Sequence, residues 1–255
     1  ASIKHDKERY EHKYEYCDLL ITGSGPSGLA SAYAAAKNGA RVILAEDKPR
    51  FGGSLLTSDV NIGNQTGVEW TEKIIAELKS MPNVTVKNRS QVFGYYDHNM
   101  LVMSERISDH LPKTQKYLPK QRLWYIRANE VLISSGSIER PLVFGNNDTP
   151  GVMLSSAAKE YMKVYGVLVG KKPLIFTNND SGYETAIEFK KNGVNPIILD
   201  TRSNPSSDII TEAKNLNIEI RFSYVVVAAK GYKKVKSADI AKISDDKKEL
   251  FNIEN

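Results

Sequence analysis

The chain has 255 residues, of which 41% are hydrophobic and 25% charged. This is an ordinary globular composition, with enough length for one large or two small domains with real cores. Its net charge of +5 is scattered among acids, as in KHDKERYEHKYEY and SDDKKELFNIEN, and no dense basic run with interleaved aromatics points to nucleic acid. The lone cysteine, Cys17, excludes a disulfide framework and a CxxC redox pair. No run approaches the roughly eighteen apolar residues of a membrane span. The polar N-terminus lacks a signal-peptide core, so a cytoplasmic protein is expected.

In chain order, residues 1–16 read as a charged, extended or loose lead-in. Strand 17–22, a glycine turn, a helix to Asn38 closed by Gly39, and strand 41–46 then form a βαβ unit of about thirty residues. TGVEWTEKIIAELKSM predicts a second helix, with Val68, Ile74, Ile75 and Leu78 at helical spacing. NVTVKNRSQVFGYY and NMLVMSERI read as strands around the turn DHN, and RLWYIRANEVLISSG as two more. The Pro- and turn-rich ERPLVFGNNDTPGVM reads as a domain crossover. Beyond it, helix 154–165 precedes strand 173–177, helix 181–192, Gly193, strand 195–200, helix 206–215 and strand 218–222. VVVAAKGYKKVKSADIAKI and KKELFNI close the chain as short antiparallel strands. The expected fold class is therefore α/β, two tandem Rossmann-like dinucleotide-binding folds, over 17–150 and 151–255.

The strongest chemical signal lies in LLITGSGPSGLASAYAAAKNGARVILAED. Gly23, Gly25 and Gly28 have G-x-G-x-x-G spacing, follow a strand and open a helix. Gly23 permits the tight turn, Gly25 lets the backbone approach a pyrophosphate, and Gly28 allows close helix–strand packing. Pro26 and Ser27 begin the helix, whose free N–H groups suit an anion. The second strand ends in Glu46, a carboxylate that can accept from ribose hydroxyls and repels a 2′-phosphate, favouring NAD or FAD over NADP. In DKPRFGGSLL, Gly52-Gly53 is a second close-approach point and Ser54 adds a hydroxyl and an N–H. Asp47 and Lys48 should line the adenosine pocket, and backbone contacts from Val92 in SQVFG are expected beside the adenine. VLISSGSIERP places Ser135 and Gly136 near the ligand, although an ordinary loop accounts for them equally well.

Groups able to do chemistry are scarce. His98 is a turn histidine, more simply structural than a base. His5, His12 and His110 lack ligand spacing, so no metal site is expected. No serine sits in a G-x-S-x-G elbow, and surface ion pairs explain Arg106 and Arg140 as well as anion binding does. No catalytic residue is assigned.

GSGPSG, EDKPRFGGSLL and the block from ERPLVFGNNDTPGVM to LIFTNNDSGY together resemble the alpha subunit of heterotetrameric sarcosine oxidase, from about Tyr16 to about Ile243. That resemblance implies a complex that oxidatively demethylates sarcosine to glycine with oxygen, forming hydrogen peroxide, with tetrahydrofolate able to capture the one-carbon unit. It implies beta, gamma and delta partner subunits, FAD in the beta subunit and FMN near the alpha–beta interface. It also implies a non-redox NAD in the first fold here, contacted by Ser27, Glu46, Asp47, Lys48, Ser54 and Val92. Such alpha subunits are longer, so the chain reads as a fragment or one piece of a split subunit, lacking the strand that returns to complete the first fold and the folate domain. The alternative is a related flavin-dependent amine, opine or proline dehydrogenase subunit holding FAD or another adenine nucleotide in the first site.

The second fold departs from the fingerprint. Its turn reads Thr177-Asn178-Asn179-Asp180-Ser181-Gly182, with one glycine of three, and Asp180 is expected to cap the following helix. No nucleotide is expected there.

Overall fold

A computed structural model describes residues 8–112 and 117–243, and the backbone of 250–254. The chain divides into two compact units, Ala1–Ser137 and Ile138–Asn255.

The first unit opens with β1 (Tyr10–Thr22), α1 (Pro26–Lys37) and β2 (Val42–Ala45). A short hairpin of β3 (Asn61–Ile62) and β4 (Gln65–Thr66) leads into α2 (Gly67–Ser80). Then follow β5 (Val84–Lys87), β6 (Ser90–Tyr96), β7 (Met100–Arg106) and β8 (Gln121–Ile133). The main sheet has the order β5-β2-β1-β8-β7-β6. Its first four strands are parallel, and β7 and β6 are antiparallel additions.

Strand alternation assigns the two faces of this sheet. Ile21, Val42 and Leu44 pack with Leu29, Ala32 and Ala36 of α1 and Ile74, Ile75 and Leu78 of α2. The neighbouring Leu20, Ile43 and Ala45 point the other way and pack with Leu101, Met103, Ile126 and Ala128. Burial on both faces explains why β2, Val-Ile-Leu-Ala, is entirely apolar. Cys17 belongs to this second cluster, where burial pushes its thiol up to about 12. It is a packing residue.

Two expectations change. From Tyr10 onward the lead-in is strand, because residues 10–17 pair in register with 121–128 of β8. Its side chains are also engaged: Arg122 donates to the half-buried Glu11 at 3.0 Å, and the exposed Tyr14 stacks on Tyr125. Likewise, RLWYIRANEVLISSG gives one strand, β8, where two were expected. β1 and β7 flank its first part, and the polar Asn129 stays extended because its amide accepts from Tyr16 Oη (2.7 Å) and donates to Asp18.

The second unit contains α3 (Ser155–Tyr165), β9 (Leu174–Thr177), α4 (Ser181–Lys191), β10 (Ile197–Asp200), α5 (Asp208–Asn215) and β11 (Glu219–Phe222). Its parallel sheet has the order β11-β10-β9. β12 (Tyr224–Gly231), β13 (Val235–Lys242) and β14 (Leu250–Glu254) form an antiparallel sheet. The core gathers Tyr183, Ala186, Ile187 and Phe189 of α4 with Ile175, Ile198, Ile210 and Met162.

The start of α2 is fixed by a capping box: Thr66 Oγ1 accepts from Glu69 N at 3.2 Å, and Glu69 accepts from Thr66 N at 2.8 Å. Thr66→Ala should therefore cost about 1 kcal/mol of stability, read as a lower urea midpoint with an unchanged slope.

Candidate nucleotide site

Thr22 pairs with both Ala45 and Ile133, so β1, β2 and β8 end level. The ladder continues one step further: Gly23 N donates to Ala45 O and Ser134 N to Thr22 O, both at 2.8 Å. The glycine turn, Glu46 and the segment Ser134–Gly136 thus leave the sheet at one carboxyl edge, where ligands of open α/β sheets bind.

Each glycine of the turn has a different reason to lack a side chain. At Gly23, with φ +97, a Cβ would lie 2.4 Å from Ser134 O. At Gly28 it would lie 2.0 Å from Gly23 O, so the start of α1 can lie against the turn only without it. At Gly25 a Cβ would meet nothing within 4 Å, and this residue's α-carbon therefore faces open space. The doublet closes on the same point. Gly52 N donates to Ser24 O at 3.0 Å, and a Cβ on Gly53 would lie 2.9 Å from Gly25 Cα.

α1 begins with Pro26 at its first turn, has no side-chain cap and carries no acidic residue there. Its first amides and the positive end of its dipole are thus left for an anion. Ser27 and Ser54 are exposed beside it.

Glu46 is buried, with 6% exposure. Its Oε2 accepts from Ser24 N at 2.9 Å and from Ser24 Oγ at 2.6 Å, while Oε1 accepts from Lys48 N at 3.0 Å. Burial, with the neighbouring Asp47 carboxyl adding to it, raises its pKa above the usual carboxylate value, against the hydrogen bonds from Ser24 and Lys48. Asp47 and Lys48 continue from it on the surface. Ser90 N donates to Glu46 O at 2.7 Å and Arg89 N to Lys48 O at 3.1 Å, which lays the start of β6 alongside. Val92 stands two residues on, half-buried and packed into the second core cluster, on the edge strand of the sheet.

The expected residues Gly23, Gly25, Pro26, Ser27, Gly28, Glu46, Gly53 and Ser54 therefore converge on one turn, with Asp47 and Lys48 adjoining. Ser135 reaches the same turn, its Cα lying 3.2 Å from the place a Gly23 Cβ would take, and Gly136 follows it in the exposed loop. Ser24 was not singled out by sequence reasoning. It is wholly buried and joins the turn, Glu46 and Gly52. Among the described residues there is no cluster of His, Cys, Asp and Glu that could hold a metal, and no helix long and apolar enough to cross a membrane. Arg106 is paired with Asp109 at 2.8 Å.

The second unit repeats the layout with its own side chains in the turn. Gly182 keeps the packing role, since a Cβ there would lie 2.8 Å from Thr177 Cβ. Asn179, at the position corresponding to Gly25, accepts from Ser181 N at 2.9 Å and from Ser181 Oγ at 2.6 Å. Asp180 does not cap α4, contrary to expectation. Its carboxylate accepts from Arg202 Nη2 at 2.8 Å instead, and Asn179 supplies the local amide's partner.

Arg202 also donates to Asp200 through Nε at 3.0 Å and Nη2 at 2.8 Å, and Tyr183 Oη donates to Asp200 at 2.7 Å. Asp200 ends β10 as Glu46 follows β2, but here an arginine occupies the acid. Burial alone would raise the Asp200 pKa, yet Arg202 and Tyr183 hold it below the usual aspartate value.

Two measurements follow from this geometry. Gly25→Ala should leave stability within about 0.5 kcal/mol, whereas Gly28→Ala should cost about 1–3 kcal/mol through overpacking, both read by urea denaturation. Asp200 carries fewer protons folded than unfolded, so its contribution is present above the ordinary aspartate range and is lost as pH falls through its depressed folded value. Asp200→Asn should lower stability at neutral pH by about 1–3 kcal/mol and flatten the acid limb of a stability–pH profile.

Residues 18–108 match the family model described as FAD dependent oxidoreductase. The chain is 40% identical over 241 residues to sarcosine oxidase subunit alpha of Rhizobium meliloti (strain 1021), covering 94% of this chain and 24% of that protein. It is 35% identical over 224 residues to the same subunit of Corynebacterium sp. (strain P-1), covering 87% of this chain and 23% of that one. Among solved structures it resembles T. acidophilum thioredoxin reductase with a TM-score of 0.67 at 16% identity, covering 94% of this chain and 75% of that one. The last likeness concerns the fold alone. The chain spans about a quarter of the length of the sarcosine oxidase subunits it matches. It has the FAD/NAD(P)-binding flavoprotein fold and, over most of its length, is a homologue of the corresponding region of sarcosine oxidase alpha subunits.

Proposed function

We propose that the first unit holds NAD and that the chain is the nucleotide-carrying module of a sarcosine oxidase-type alpha subunit, without catalytic groups of its own. The observation that carries this reading is the uncapped start of α1, free of acidic residues and set beside the open side of Gly25. A pyrophosphate fits there, with Ser27 and Ser54 as further donors. Glu46 selects against a 2′-phosphate, Asp47, Lys48 and Val92 line the adenosine side, and Ser135 and Gly136 flank the turn from β8. The intact protein would oxidatively demethylate sarcosine to glycine with oxygen, forming hydrogen peroxide, together with beta, gamma and delta subunits that bring FAD and FMN. Tetrahydrofolate would take the one-carbon unit in a region outside this chain.

A second reading has FAD in the same cradle, as the family model matched by residues 18–108 favours. Both dinucleotides present the same adenosine and pyrophosphate, so the cradle accepts either. The 40% identity to an alpha subunit over nearly the whole chain supports NAD.

Calorimetric titration separates them: NAD should bind with low micromolar affinity or better, and Glu46→Ala should weaken it by about 1–3 kcal/mol. A near-stoichiometric flavin spectrum in the purified protein would favour the second reading. The chain alone should produce no peroxide from sarcosine, and measurable turnover would contradict the carrier role.

A further inference from the structure

We infer that Ser24 is a positioning residue for ribose recognition, holding the Glu46 carboxylate so that its remaining acceptor site, on Oε1, meets an adenosine hydroxyl. The inference rests on the nucleotide reading of the first unit. In the glycine fingerprint the residue after the first glycine is unrestricted. Here it is a serine with no exposed surface. Its Oγ donates to Glu46 Oε2 at 2.6 Å, and its N–H reaches the same oxygen at 2.9 Å. Gly52 N donates to Ser24 Oγ at 3.3 Å and to Ser24 O at 3.0 Å, so the serine is itself held from behind by the glycine doublet.

An ionised carboxylate has about four acceptor sites. Ser24 fills two on Oε2 and Lys48 N fills one on Oε1. The remaining capacity lies on Oε1, and it suits one hydroxyl donor. Without the serine hydroxyl, a buried carboxylate loses a short charge-assisted bond, and Oε2 competes with Oε1 for the ribose. The selective consequence is specific: what weakens is the hydroxyl contact and the discrimination against a 2′-phosphate.

The test is a double-mutant cycle on the full chain, with NAD and NADP as probes and calorimetry as the readout. Ser24→Ala should weaken NAD binding about tenfold, narrow the NAD/NADP ratio, and cause no further loss in a Glu46→Gln background. Unchanged NAD affinity overturns the inference, and so does an equal loss in both backgrounds, the pattern of a merely structural serine. If the unmodified protein binds FAD in place of NAD, the same cycle run with FAD decides the matter. Failure of the unmodified protein to bind either dinucleotide overturns the nucleotide reading, and this inference with it. Ser24→Gly, which keeps the backbone amide, is the second variant. If neither variant folds by circular dichroism, Ser24 is a folding residue and the inference is wrong.

Discussion

The Glu46 carboxylate joins segments that lie far apart in sequence. It accepts from the glycine turn through Ser24 and from its own following loop through Lys48, while its backbone carbonyl accepts from Ser90 at the entry to β6. Because β1, β2 and β8 end level, these contacts can form at a single edge. A buried charge so placed is costly unless its acceptor sites are filled, and the donors that fill them also fix the shape of the turn. The open side of Gly25, the uncapped start of α1 and the seat of the Gly52-Gly53 doublet all depend on that fixed shape.

The two units offer one scaffold with two outcomes. In the first, glycines let backbone meet backbone, and the helix amides have no side chain in front of them. In the second, Asn179 satisfies the amide of Ser181, and Arg202 bridges Asp180 to Asp200. The positive charge there is already matched by two carboxylates, and the strand-end acid is occupied by Arg202 and Tyr183. A pyrophosphate would have to displace side chains that satisfy one another, and it would meet Asp180 across the turn.

Much of this was legible locally. The glycine spacing, Gly39 and Gly193 after their helices, and the acid at the end of β2 are signals within a few residues of the structure they specify. The parallel pairing of β1 with β2 follows from the βαβ spacing. What escaped depended on distant partners. Nothing in ANEVL announces that Asn129 will be held extended by Tyr16 and Asp18. Asp180 has the position of a cap, but Arg202, twenty-two residues later, offers a charged partner and takes it. Ser24 escaped because the fingerprint treats its position as free, while its burial against Glu46 exists only once β2 lies beside β1.

The central claim, two nucleotide folds with one nucleotide, is tested most directly by native mass spectrometry of the purified chain titrated with NAD. The account predicts a mass increase of one NAD per chain, and the same single increase in an Arg202→Ala variant. Two bound nucleotides per chain, or none at saturating NAD, would contradict it.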